Sequence, residues 1–170
     1  MKMRVFVLVS VALATIFAAA PTASAASPVV MGLQVVNASG DACSDESADF
    51  TMTGGLVGCW FIDSLVLTGE TPSGSAMFSG TEHFTGCIDA DLSGGCGGSD
   101  PSGTFFTTFT FTAKFDASGN ELHGRCHHPI YQDDTHIATG DFASATGVLT
   151  FTDDVTTDPV SATYVGPVRL

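Results

Sequence analysis

The sequence predicts an all-β domain, a barrel or a sandwich, preceded by an export signal. Three observations carry this expectation. Runs of β-branched and aromatic residues recur along the chain, separated by turns rich in glycine, serine, aspartate and proline. Residues 104–115 alternate with period two: Phe105, Phe109, Phe111 and Phe115 fall on one face, and Thr104, Thr108, Thr110 and Thr112 on the other. No stretch shows helical periodicity with caps at its ends.

The first 25 residues read as a signal peptide. Lys2 and Arg4 precede an apolar run from Val5 to Ala20, broken only by Ser10 and Thr15, and Ala23-Ser24-Ala25 has the small-x-small pattern of a cleavage site. The run is about 16 residues, shorter than the ~20 of a membrane helix, which favours cleavage over an uncleaved anchor. Residues 26–170 then form one domain, long enough to bury a core around the chain's phenylalanines, 13 in all. Without Lys2 and Arg4, three bases (Lys114, Arg125, Arg169) face 18 acids, a formal charge of −15. Such a surface repels phosphate backbones and anionic lipid heads, so neither nucleic acid nor membrane is an expected partner of the processed chain. The acidity also keeps an exported protein soluble.

The elements follow in order. Residues 29–36 read as a first strand and 37–48 as a small, polar, acidic loop. Residues 56–67 and 75–88 are strands around the turn at Gly69, Pro72 and Gly74. Residues 89–103 are a glycine-rich loop, and 104–115 and 121–130 form a hairpin about the turn 116–120. Shorter strands are expected at 139–142 and 145–151, and 162–170 closes the chain. Seven or eight strands at this spacing suit a barrel or a sandwich, and a closed barrel leaves no Phe/Thr-rich edge open to aggregation.

Five cysteines in an exported chain should pair, with one left over. Cys87 and Cys96 bracket a glycine-rich turn and are expected to bond. Cys43 with Cys59 is the next choice, leaving Cys126 free, and Cys59 with Cys126 competes with it. Spacing alone does not decide between these.

Chemistry concentrates in residues 121–130. On a strand His123, Arg125 and His127 share one face, and Cys126 and His128 the other. If the Arg125 face points inward, its guanidinium needs an acid, for which Glu82 and Asp63 are the candidates. Such a pair is either a structural clamp or the polar end of a ligand pocket whose apolar walls include Phe109 and Phe111. Glu82, Arg125 and His127 are the catalytic candidates if the protein is an enzyme. Adjacent histidines on a strand diverge, and His123 and His127 lie about 13 Å apart, so a zinc site would need His83 or His136 from other strands. Cys126 beside His127 suggests a nucleophile only superficially. Neighbours on a strand diverge, so a disulfide half or a buried thiol is the expectation. Asp89, Asp91, Ser93 and Asp100 have the spacing of a calcium loop but lack the bidentate glutamate and flanking helices, and read instead as an acidic, disulfide-closed loop. The acid pairs Asp133-Asp134 and Asp153-Asp154 suit a glycosidase in number, and surface turns in position. No metal or organic cofactor is expected.

Thr139-Gly140-Asp141-Phe142-Ala143-Ser144-Ala145-Thr146-Gly147, followed by Val148-Leu149-Thr150-Phe151 and later Tyr164-Val165-Gly166, is similar to the glycine-bracketed TG-x-F-x-x-A-x-G strand pair of the allene oxide cyclase and dirigent proteins. The match covers about a quarter of the processed chain. What the resemblance implies is an antiparallel closed β-barrel of about eight strands, with an apolar interior, often assembled as dimers or trimers. It also implies action on hydrophobic small molecules, as a cyclase or isomerase or as a binding protein. The matching residues form a turn, so no catalytic residue carries over. The functional expectation is therefore a secreted barrel binding a small hydrophobic ligand, with a cyclase or isomerase, or a structural or envelope-associated protein, as alternatives.

Overall fold

The structure, a computed structural model, describes residues 28–36 and 43–170. The expected signal peptide and the start of the loop after Val36 lie outside the described residues. Eight strands follow in chain order: β1 Val29–Val36, β2 Phe50–Gly54, β3 Leu56–Glu70, β4 Ser75–Ile88, β5 Ser102–Phe115, β6 Glu121–Tyr131, β7 Thr146–Asp154 and β8 Ser161–Arg169. Each pairs antiparallel with the next, and β1 pairs with β8 from Val29↔Pro167 to Val35↔Ser161, so the sheet is a closed barrel. This is the expected architecture, and β1 and β4 begin and end where the alternation places them. The short β2 was not foreseen, because its five residues directly follow a polar loop.

One sequence-predicted strand is absent. Gly140–Phe142 is a single 3-10 turn. Gly140 has φ +61°, a left-handed conformation that breaks a strand. The turn directs Phe142 into the barrel end, fully buried with its ring 5.3 Å from that of Phe105. The glycine-bracketed segment is thus a plug followed by β7, not a pair of strands.

The inner face follows the pleat. On β5 it carries Phe105, Thr107, Phe109, Phe111 and Ala113, as the alternation requires. On β3 it carries Trp60 and Ile62, and then the register shifts between Ile62 and Ser64, which moves Leu65 onto the inward set. The half of the barrel nearest the plug is solid: Leu56, Phe84, Ile88, Phe105, Leu149 and Val168 pack around Phe142. Each such side chain contributes about 1.5–3 kcal/mol by leaving water. A row of glycines, Gly58↔Gly86↔Gly103, crosses β3 to β5 there. A Cβ on Gly58 would run into the Thr85 carbonyl oxygen, so the strands approach closely only because side chains are missing.

Tyr164 fastens the two sides of the barrel. Its hydroxyl accepts from the Leu56 N–H at 2.7 Å and donates to the Thr53 carbonyl at 2.9 Å, holding β8 against the β2–β3 turn. Outside, Cys43–Cys59 ties the loop after β1 to β3, and Cys87–Cys96 closes the loop after β4; Cys126 is free and buried. These are the first-choice pairings. Replacing Cys43 and Cys59 with serine is expected to lower the unfolding free energy by about 3 kcal/mol, the entropic worth of a bridge closing a loop of this length. Urea denaturation checks this, and an unchanged midpoint would mean the bridge restrains nothing.

Candidate functional site

The half of the barrel away from the plug is open. It holds a cavity of about 270 Å³ whose lining reaches Val36 at the end of β1, Phe50 at the start of β2, Glu121 at the start of β6 and Val160 before β8. Its walls are mostly apolar: Phe50, Ile62, Phe109, Phe111, Phe151 and Ala162. Both aromatic residues singled out from β5 therefore line it.

The polar groups gather at two levels. On the cavity floor, Glu82 from β4 is buried, at 5% exposure. Its Oε2 accepts from the Trp60 indole N–H at 2.8 Å and lies 2.8 Å from Nε2 of His128. The Cys126 sulfur is 3.4 Å from the same imidazole nitrogen. His128 is wedged among rings, with centroids 4.3 Å from Phe151 and 5.5 Å from Trp60. Buried charge-assisted bonds of this kind satisfy the carboxylate in a low-dielectric interior. The Nδ1 atom of His128 is buried and has no partner among the described residues.

Nearer the mouth, Glu121 from β6 and Asp153 from β7 meet over Gly124. That glycine has no side chain, and a Cβ there would strike Asp153 Oδ2, Glu121 Oε1 and the Phe111 ring. Burial first, then the hydrogen bond and charge of Asp153, push the Glu121 carboxyl up to about 7. Burial also raises Asp153, against the hydrogen bond from Glu121 and the charge of His128. The first proton of the pair is therefore held more tightly than an ordinary carboxyl holds one, on the Glu121 side and up to about pH 7, because two adjacent carboxylates in a poorly solvated site do not both ionise readily.

The expected convergence of Glu82, Arg125 and His127 does not occur. Glu82 faces inward, whereas Arg125 and His127 are exposed on the outer surface of β6. Arg125 borders a shallow outer depression with Met31, Leu33, Thr152 and Val165. His127 lies 3.3 Å from the Thr150 hydroxyl. Turning Arg125 inward would strip its guanidinium of water, and the pleat turns Cys126 and His128 inward instead. Asp63 is no partner of Arg125 either. It sits at the β3 register shift, 2.9 Å from Nδ1 of His83, whose ring stacks on Phe61 at 4.4 Å outside the barrel.

The calcium-loop residues do not form a cation cage. Asp89 is buried and binds its own loop: the Gly94 N–H donates at 2.7 Å and the Ser93 N–H at 3.1 Å. Burial opposes its charge, but these bonds outweigh burial and hold the carboxyl below its ordinary range. Asp100 caps Gly97 at 2.6 Å. Among the described residues no group of three or more His, Cys, Asp or Glu side chains is placed to hold a metal ion, and no helix is long and apolar enough to cross a membrane.

The site residues missed at the sequence level are Trp60, Glu121, His128 and Asp153. Parity did offer a signal: Cys126 and His128 share a face, and Asp153 shares one with Phe151. Comparison of the chain with protein-family models, curated proteins and solved structures finds no match in any of the three.

Two consequences are open to measurement. Cys126 is pushed far above its ordinary pKa by burial, then by Glu82 and Asp153, so its thiolate does not form near neutral pH. Iodoacetamide is expected to spare it in the folded protein and alkylate it after unfolding; rapid labelling of the folded state would contradict this. Glu121, with an ordinary value of 4.5, binds its proton more tightly folded than unfolded. Its stabilising contribution is full below about pH 4.5 and is lost as pH rises through about 7. The melting temperature is expected to be higher at pH 5 than at pH 8, and Glu121→Gln to shrink that difference. An equal slope in the variant would remove Glu121 as its source.

Proposed function

We propose that this is a secreted barrel that holds one small, largely apolar molecule in its open half. The observation that carries the reading is the contrast between the two halves. Below Trp60 the interior is filled by its own side chains, whereas above it about 270 Å³ is left among phenylalanines. Eight-stranded barrels either pack solid or hold one small ligand, and engineered apolar cavities of roughly 150 Å³ already take up benzene. Secretion is supported by the leader pattern of residues 1–25 and by two disulfides. The resemblance of residues 139–147 to the allene oxide cyclase and dirigent proteins supports a hydrophobic small-molecule ligand. Self-association of the kind that resemblance implies would use the outer face of β1 and β8, where Val29, Met31, Leu33 and Val165 are exposed.

A second reading, a cyclase or isomerase, draws on Glu121. A carboxyl titrating near 7 beside an acidic partner is suited to giving and taking protons at neutral pH. On that reading any hit is converted, and Glu121→Gln stops conversion while the fold persists.

Binding is read from the single tryptophan, Trp60, which contacts the cavity floor through Glu82. A panel of small aromatic compounds is expected to shift its emission with micromolar to millimolar dissociation constants. Ala162→Phe, which fills the cavity, is expected to weaken binding by at least about tenfold, with near-native circular dichroism as the check on folding. A folded Ala162→Phe protein that binds as before would move the ligand out of the barrel.

A further inference from the structure

The cavity is apolar in its walls and one-sided in its polar groups. Glu82, Glu121 and Asp153 supply carboxyl oxygens, and His128 has a buried Nδ1 with no partner. His128 is itself only 3% exposed, so that atom is beyond the reach of bulk water. Glu121 Oε1 is likewise buried without a hydrogen-bond partner among the described residues. On the donor side the lining adds the Gln34 amide, the neutral Cys126 thiol and the Ser161 hydroxyl, which is already in contact with the Thr157 hydroxyl at 3.0 Å, so none of the donors beside the carboxyls is a cation. Among the described residues no lysine or arginine lines the cavity. Lys114 is bonded to the Ser73 carbonyl, and Arg125 and Arg169 are exposed outside.

A site so composed repels carboxylates and phosphates. It also brings the Glu121 and Asp153 carboxyls to the same space beside Gly124, where the second negative charge is unfavourable without a cation or a proton. An ammonium group takes the place of that proton and satisfies both oxygens with its own donors. The rings of Phe50, Phe109, Phe111 and Phe151 stand around the same space, and aromatic faces attract cations.

We propose that the molecule held in the barrel is an amine: a protonated amino group seated between Glu121 and Asp153, with an aromatic or aliphatic body against the phenylalanines. This rests on the reading of the open half as a ligand site. Binding exchanges one cation for another. The ammonium enters, the Glu121 proton leaves to solvent, and both carboxylates remain ionised. The groups facing this exchange are Asp153 on β7, Glu82 on β4, Cys126 and His128 on β6, and the Gln34 amide on β1. The affinity therefore rises with pH through about 7, where Glu121 titrates in the free protein.

The test is titration calorimetry on the processed chain with three probes of one shape: 2-phenylethylamine, 2-phenylethanol and 3-phenylpropanoate. The amine is expected to bind at least about tenfold more tightly than the alcohol at pH 7.5, the worth of a charge-assisted bond, and the carboxylate not at all. Amine binding is expected to weaken at pH 5. It should release protons near pH 6.5, seen as a dependence of the apparent enthalpy on buffer ionisation. Glu121→Gln with Asp153→Asn should bring amine and alcohol to similar affinities. The pH and buffer series on the unaltered protein stand by themselves if that double variant does not fold. An alcohol that binds as tightly as the amine, or a carboxylate that binds more tightly, overturns the amine assignment and leaves the ligand reading standing. Failure of all three probes to bind removes both.

Discussion

Closure of the sheet between β1 and β8 is the constraint on which the rest of this structure depends. Seven residue pairs, Val29↔Pro167 to Val35↔Ser161, join the first strand to the last and leave no free edge. Once the sheet is closed, eight strands enclose a lumen only about as wide as the side chains that enter it. Most inward positions are then apolar, absent, or paired. Phe84 and Phe105 meet the first condition, Gly58 and Gly124 the second, and Glu82 with Trp60 and His128 the third.

The two ends of the lumen resolve this constraint differently. At one end Phe142 is driven inward by a 3-10 turn and completes a solid aromatic packing. At the other, Ala162 is small and a cavity remains, and acidic side chains enter it, two of them across the space that the missing Gly124 side chain leaves. Hydrogen bonds from Trp60 and His128 keep the floor carboxylate satisfied. The mouth pair, Glu121 and Asp153, has no such donor, and burial raises both carboxyls. The floor carboxylate is therefore held by the architecture, and the unmet bonding capacity lies at His128 Nδ1 and in the mouth pair, where the proposed chemistry is built.

Much of the fold was legible along the chain. The Phe/Thr alternation of β5 specifies its inner face, and the glycine-rich turn between Cys87 and Cys96 brings those two sulfurs within bonding reach. The candidate site was less legible. Alternation divides residues 121–130 into two faces but does not say which faces inward, and the rarity of cations made Arg125 conspicuous. The interior instead took the neighbouring face, because a thiol and an imidazole next to an acid are less costly to bury than a guanidinium. Glu121 lies beyond a register shift on β6, and Asp63 at one on β3, and a bulge changes parity without a clear mark in sequence.

By itself, then, the sequence determined the all-β class, most strand positions and the Cys87–Cys96 pairing, since these depend on period-two patterning and on residues close along the chain, while Cys43–Cys59 was settled only by the fold. Only the tertiary structure decided that Gly140–Phe142 is a plug, that His128 rather than Arg125 meets Glu82, and that Glu121 and Asp153 share a site. Each of these depends on which residues of distant strands come into register when the barrel closes. That register is set by turns, bulges and the space left by absent side chains, a property of the closed sheet and not of any one segment.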